Sequence, residues 1–312
     1  MTEFKAPIAL FVYNRPDHTR RTLEALRANA GADQSMLYIF ADGPKDNTDA
    51  EGLQRIAEVR ALVRLERWCG EVQIIEADTN QGLARNIRGG VSSVLDAHDR
   101  VIVLEDDLEV SVGFLRYMND ALELYQGEPR VFQISGFMVR NRRWAPSTGF
   151  LRVTTSWGWG TWRRAWAYYR DDADNLLREV EQRGRFKFDL DGHSFHFEEL
   201  ERNVRGELRT WAVRWYASVF LNDGLCLYPR LSLVRNRGFD GTGVHCHDDK
   251  SQYHSSLRMA KKIDVSRQAL MEDQQYLKAM QSHYLHLLQL WTGTRVRDRL
   301  RNKVYRALKG NP

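Results

Sequence analysis

The sequence predicts an α/β fold, a mostly parallel sheet covered by helices on both faces, and two observations predict it. Short β-rich runs alternate with amphipathic helical stretches over the first 135 residues, and a polar cluster follows each of the first four runs. Strand-helix alternation of this kind builds parallel sheets with both faces buried. Right-handed crossovers then bring the polar clusters to one edge, at the carboxyl ends of the strands.

The first strand is IALFVY (8–13), an unbroken apolar run that Asn14, Arg15 and Pro16 bring to an end. MLYIFA (36–41) follows and stops at Asp42, Gly43 and Pro44. VQIIEA (72–77) leads into Asp78, Thr79 and Asn80. VIVLE (101–105) runs straight into an acidic cluster, and VFQIS (131–135) closes the alternating region. Between the strands, Leu83, Ile87, Val91, Val94 and Leu95 make one helical stripe, and Phe114, Met118, Leu122 and Tyr125 make another. From residue 136 the alternation fades. Trp159, Trp162 and Trp166 are spaced as one helical face and read as core. A polar helical region around 172–209, a helix WAVRWYASVFLN (211–222), the strand LCLYP and the glycine-rich loop GFDGTGVHCH follow.

Composition excludes several classes. No apolar run reaches membrane-spanning length, and the start lacks the basic and apolar regions of a leader, so a cytosolic, unprocessed chain is expected. Cys69, Cys226 and Cys246 are too few and too far apart for a disulfide framework or a zinc site. The net charge of +5 is uneven: residues 295–309 hold seven Lys/Arg and one Asp, leaving 39 basic against 40 acidic residues elsewhere. Nucleic-acid binding by the main body therefore gains no support from the charge. In the tail Val296, Leu300, Val304 and Leu308 recur every fourth residue, a basic amphipathic pattern that suits an anionic membrane surface or docking on the domain.

The acidic cluster is LEDDLEV (104–110), with Glu105, Asp106, Asp107 and Glu109 at the end of an apolar strand. Buried unpaired carboxylates cost several kcal/mol, so such a cluster needs exposure, protonation or a cation. Hard oxygen donors suit Mn²⁺ or Mg²⁺, which keep open positions for the oxygens of a diphosphate. The alternative is that these acids decorate the start of the helix at Phe114, a reading that suits Glu109 well. No P-loop and no GxGxxG follows the first strand, so side chains and metal would hold a nucleotide.

VLEDDLEVSVGFLRYMNDAL resembles the metal-binding segment of the glycosyltransferase A fold, as in the N-acetylglucosaminyltransferase that opens complex N-glycan synthesis. SWGWGTWRRAW and RWYASVFLNDGLCLYP are similar to family 2-like bacterial sugar transferases of polysaccharide loci. The resemblance covers most of residues 6–250. It implies that Asp107 ligates Mn²⁺ or Mg²⁺, that Glu105 and Asp106 face the donor nucleotide, and that Asp42 reads a uracil-type base. Arg15 and Arg85 match positions near the nucleotide and diphosphate, Arg85 having the alternative of a solvated helix residue. A late histidine closes over the metal in many members; His245 is the candidate, against the alternative of an exposed loop histidine. Residues 1–136 would then be the nucleotide-sugar-binding half of one domain, 137–290 its acceptor-side half and 291–312 a basic tail.

One position departs from the family. The acceptor-activating carboxylate is expected directly after Trp211, and Ala212 stands there. Asp240, in the flexible GFDGTG loop, is the preferred replacement, with Glu207 and Asp223 as alternatives and simple turn chemistry as the bland reading. Trp157, between Ser156 and Gly158, offers a sugar-stacking face, and Trp211 lies on the acceptor side.

The expectation is a metal-dependent, slightly favoured inverting glycosyltransferase. It would use a UDP-sugar and a glycan or lipid-linked saccharide acceptor in bacterial surface polysaccharide synthesis, in the cytoplasm or at the inner face of the membrane. A catalytically inactive module of the same fold is the alternative. A nucleotidyltransferase would need an early glycine-rich phosphate loop, and FVYNRPDHTRR is not one.

Overall fold

The structure is a computed structural model and describes residues 5–139, 141, 145–240 and 258–292. β1 (Ile8–Val12) is buried at all five positions, as an apolar run between two helix layers must be. β2 (Met36–Ala41) and β4 (Arg100–Glu105) flank it in parallel, with Leu10 opposite both Ile39 and Leu104. β3 (Glu71–Glu76) pairs in parallel outside β2 and carries exposed glutamates at both ends, as an edge strand can.

The crossovers are α1 (Pro16–Arg27), α2 (Ala50–Arg64) and α3 (Leu83–Ala97). Pro16 opens α1 at the position where its missing N–H costs nothing. The Asp49 carboxylate caps α2 by accepting from the Gly52 amide at 2.8 Å. Ile87, Val91, Val94 and Leu95 are the buried stripe of α3, but Leu83, expected in it, is 46% exposed on the first turn. The second expected stripe is α4 (Phe114–Leu124), with Phe114, Met118 and Leu122 buried.

The sheet continues past β4 with a change of direction that the alternation did not foretell. β6 (Val131–Ser135) joins it through β8 (Trp159–Trp162), which is antiparallel to both β4 and β6. β9 (Leu225–Pro229) runs parallel to β6, and β7 (Thr148–Leu151) forms the antiparallel edge. The strand order is β3-β2-β1-β4-β8-β6-β9-β7. A second, two-stranded sheet pairs β5 (Leu108–Val110) with β10 (Val234–Asn236).

The tryptophans expected on one helix divide between β8 and the short α5 (Arg163–Trp166). The period of two prevails because the pleat separates them. Trp159 stacks on Trp211 at 5.2 Å, while the Trp162 ring N–H donates to the Leu122 carbonyl at 3.1 Å. Gly160 lies between them, and a Cβ there would sit 3.2 Å from the Leu122 side chain. All three tryptophans are buried, as expected of core. The polar 172–209 region is two helices, α6 (Ala173–Phe188) and α7 (His196–Val204). Leu190, Asp191 and Gly192 take positive φ between them and turn the chain. α8 (Ala212–Leu221) leads into β9, and α9 (Gln274–Thr292) lays Tyr276 on Gly149 of the edge strand.

Apolar side chains bury in two clusters, one between the β1–β4 sheet and its helices, the other among α6 to α9, β7 and β9. Trp157 packs against both. Cys69 and Cys226 are free and buried, and burial pushes the Cys69 thiol up to about 12. Among the described residues no helix is long and apolar enough to cross a membrane.

Candidate active site

Because β1 to β4 are parallel, the loops after them meet at one edge. Register fixes the meeting point: Phe11 lies opposite Glu105, and Val12 opposite Ala41. Arg15, Asp42, Asn80 and the Glu105–Asp107 turn therefore lie along one edge of the sheet.

Arg15 precedes the first turn of α1 and reaches back across β1 to the acidic turn. Its guanidinium donates to both oxygens of Asp106 and, at 3.0 Å, to Asp107 Oδ2. Burial opposes its charge, but Asp106 and Asp107 outweigh that and raise it above its usual range. Thr22, two helical turns further along, donates to the Asp106 carbonyl at 2.7 Å and fixes the turn from beneath.

The carboxylates outnumber this cation. The Glu105 carboxylate makes no hydrogen bond or ion pair with the described residues. Burial, then Asp107 and Asp106, push it up to about 8. Burial likewise raises Asp106 to about 6, against the pull of Arg15. A site short of positive charge and furnished with hard oxygen atoms fits a divalent cation such as Mn²⁺ or Mg²⁺. Among the described residues no three His, Cys, Asp or Glu side chains form a metal cage. His245 lies outside the described residues.

Asp42 is buried, and its two oxygens accept four hydrogen bonds. The amides of Gly43 and Gln81 donate to Oδ1 at 2.9 and 2.7 Å, and Asn80 Nδ2 and the Gly82 amide donate to Oδ2 at 3.0 and 3.1 Å. The carboxylate is thereby saturated. Asp42 staples the β2 loop to the β3 loop through these four donors. Arg85 is exposed on the first turn of α3, and its side chain makes no hydrogen bond or ion pair with the described residues.

The unexpected part of the site is what β5 does. Glu109 does not decorate a helix start; it stands in β5 opposite Arg235 and accepts from Arg237 Nε at 2.7 Å. Pairing of β5 with β10 carries the late segment 237–240 onto the acidic turn. Arg237 N donates to the Asp107 carbonyl at 2.8 Å. Gly238 lies so close that a Cβ would fall 2.1 Å from Asp107 Oδ2. Phe239 meets the Trp157 ring edge-on at 5.5 Å. Asp240 Oδ2 is 3.1 Å from Nε2 of the nearly buried His18, which also lies 3.3 Å from the Arg237 carbonyl. Asp240, metal candidate Asp107 and sugar-face candidate Trp157 are thus tied to one short loop.

The acceptor-side expectations fare unevenly. Trp211 is 4% exposed and stacked on Trp159, so its ring packs with the core. Trp157 stays half-buried, edge-to-face with Phe137 at 4.5 Å. Ala212 begins α8 and is partly exposed. Glu207 and Asp223 sit in exposed ion pairs with Arg205 and Arg183. Sequence reasoning missed His18 and Gly238. His18 falls three residues after Arg15, so the first turn of α1 brings it round to the same side as the site, a spacing legible in RPDHT.

A large sheet of mostly parallel strands flanked by helices is the architecture of the GT-A fold. Residues 8–179 match Glycosyl transferase family 2, and the chain belongs to that family. Among solved structures, S. aureus TarS residues 1–349 is 13% identical, with a TM-score of 0.40, over 73% of this chain and 59% of that one. A second S. aureus TarS structure is 15% identical, with a TM-score of 0.33, over 54% of this chain and 30% of that one. The chain thus spans under two thirds of the length of either.

Proposed function

We propose that the protein transfers a sugar from a nucleotide-sugar donor, a UDP-sugar, to a glycan or lipid-linked saccharide of a bacterial surface polysaccharide. Family membership supports glycosyl transfer. The single observation that carries the finer reading is the Arg15–Glu105–Asp106–Asp107 cluster, in which one arginine faces three carboxylates at the strand ends. Asp107 would hold Mn²⁺ or Mg²⁺, which when bound stabilises the negative charge of a leaving diphosphate. Glu105 and Asp106 would face the nucleotide, and Arg85 would meet the diphosphate as a bidentate donor. Asp42 shapes the floor on which the base rests by locking Gln81 and Gly82. Residues 1–136 would form the donor half and 137–290 the acceptor half of one domain.

For inversion, the acceptor oxygen attacks the anomeric carbon from the face opposite the diphosphate. The bond from carbon to phosphate oxygen breaks, its electron pair leaves with the nucleoside diphosphate, and the acceptor proton passes to Asp240. Asp240 is the proposed base because the loop that bears it touches both Asp107 and Trp157. General-base assistance of this kind is worth on the order of 10²- to 10⁴-fold.

The test is UDP release from UDP-sugars with Mn²⁺. Asp107→Ala is expected to abolish it while leaving the folded signal by circular dichroism intact; survival of the normal rate would refute the metal assignment. The partly exposed Ala212 favours a second reading, a non-catalytic module. Calorimetry would then show UDP and Mn²⁺ binding without any UDP release by the wild type.

A further inference from the structure

Resting on the assignment of Asp240, we infer that His18 is a positioning residue that holds Asp240 and its loop against the acidic turn. The two ends of the site are built on one turn of one helix. Arg15 fixes the acidic turn, and His18, three residues later, presents Nε2 both to Asp240 Oδ2 at 3.1 Å and to the Arg237 carbonyl at 3.3 Å. The ring is only 7% exposed, so its contacts replace water that would otherwise occupy them. The Thr19 hydroxyl donates to the Arg15 carbonyl at 2.9 Å and keeps this first turn closed.

Without His18 the loop keeps other anchors. The Arg237 amide bonds Asp107, Arg237 Nε bonds Glu109, and Phe239 touches Trp157. The backbone of Arg237 and Gly238 is therefore secured from β5, whereas Asp240 lies two residues beyond that pairing with its carboxylate 45% exposed. His18 gives the Asp240 carboxylate a side-chain contact from α1, and a base must lie within hydrogen-bond reach of the proton it takes. The link runs from α1 to the loop across more than two hundred residues of sequence, so it is a tertiary constraint and not local turn chemistry.

The experiment uses the full chain with two readouts. Hydrogen exchange without ligand comes first. His18→Leu is expected to speed exchange of amides 238–240 selectively, leaving the β4 and β1 amides protected; unchanged exchange at 238–240 overturns the proposal. Kinetics follow, by release of UDP from UDP-N-acetylglucosamine and from UDP-glucose with Mn²⁺. His18→Leu is expected to lower kcat at least about tenfold with donor KM within about twofold, as a base displaced from proton reach does. His18→Gln, whose amide reaches the Nε2 position, is expected to recover most of the rate. The double variant with Asp240→Asn should be no slower than Asp240→Asn alone, since coupled residues are not additive. A raised KM with unchanged kcat would make His18 a donor ligand instead, and multiplicative losses would make it independent of Asp240; either overturns the inference. If Asp240→Asn leaves kcat unchanged, the assignment of the base has failed. If Asp240→Asn is slow and His18→Leu is not, only the positioning role has failed. Should His18→Leu not fold, His18→Asn, too short to reach Asp240, takes its place.

Discussion

A hydrogen atom where other residues carry a side chain decides how closely the late loop approaches the acidic turn. At Gly238 a Cβ would meet Asp107 Oδ2 at 2.1 Å and an Arg15 nitrogen at 3.1 Å, and both are held by each other. Gly238→Ala must therefore displace either the loop or the carboxylate. UDP–Mn²⁺ affinity by calorimetry should fall at least about tenfold, roughly 1.4 kcal/mol; unchanged affinity would show that the loop does not share the donor site. Asp42 invites a different measurement. Truncation to alanine leaves the amides of Gly43, Gln81 and Gly82 without their acceptor, a loss of about 2 kcal/mol in the ligand-free protein. Thermal unfolding without nucleotide should register it. A residue that only read the base would leave that transition where it is.

At the scale of elements, the α7–α9 contact carries a pH dependence. His196 Nδ1 lies 2.6 Å from the Ser194 hydroxyl and Nε2 lies 3.2 Å from the Tyr284 hydroxyl, with the Tyr216 ring 4.9 Å away. Burial pushes this histidine down to about 4, so the folded protein holds it neutral. The unfolded chain, with an ordinary histidine near 6.5, binds more protons between those two values. Stability therefore falls as pH drops through 6.5 toward 4, by up to about 3 kcal/mol. His196→Gln should flatten the change in Tm across that window, and an equally steep profile in the variant would assign the loss elsewhere. Elements also show what was legible in the sequence. β1, β2, β4, β6 and β9 announced themselves because strands buried on both faces need continuous apolar runs. β5 and β10 have three residues each, too few for any period, and exist through their pairing with one another. β8 misled because Trp159, Trp162 and Trp166 satisfy a helical spacing that the pleat and Gly160 override. The same shortness hid much of the site. Glu105, Asp106 and Asp107 could be found in one stretch of sequence. Their contact with Gly238 and the His18–Asp240 pair could not, since both depend on the β5–β10 pairing.

For the whole molecule, charge divides the sequence in two. The chain outside residues 295–309 is nearly neutral, with 39 basic against 40 acidic residues, while that segment alone holds seven Lys/Arg and one Asp. A lipid-linked acceptor is presented at a membrane surface, and a donor site in the neutral body gains from being held there. Each Lys or Arg near an anionic surface contributes about 1 kcal/mol, so attachment through the seven here would be measurable. The full chain is expected to co-sediment with phosphatidylserine-rich vesicles and to leave them at about 1 M salt, where the screening length shrinks to about 3 Å. Removal of residues 295–312 should abolish sedimentation while UDP–Mn²⁺ calorimetry stays unchanged, because no residue assigned to the donor site lies in that segment. Equal binding to neutral phosphatidylcholine vesicles, or retention of binding by the truncated chain, would refute attachment through the tail and leave the donor-site assignment standing on its own tests.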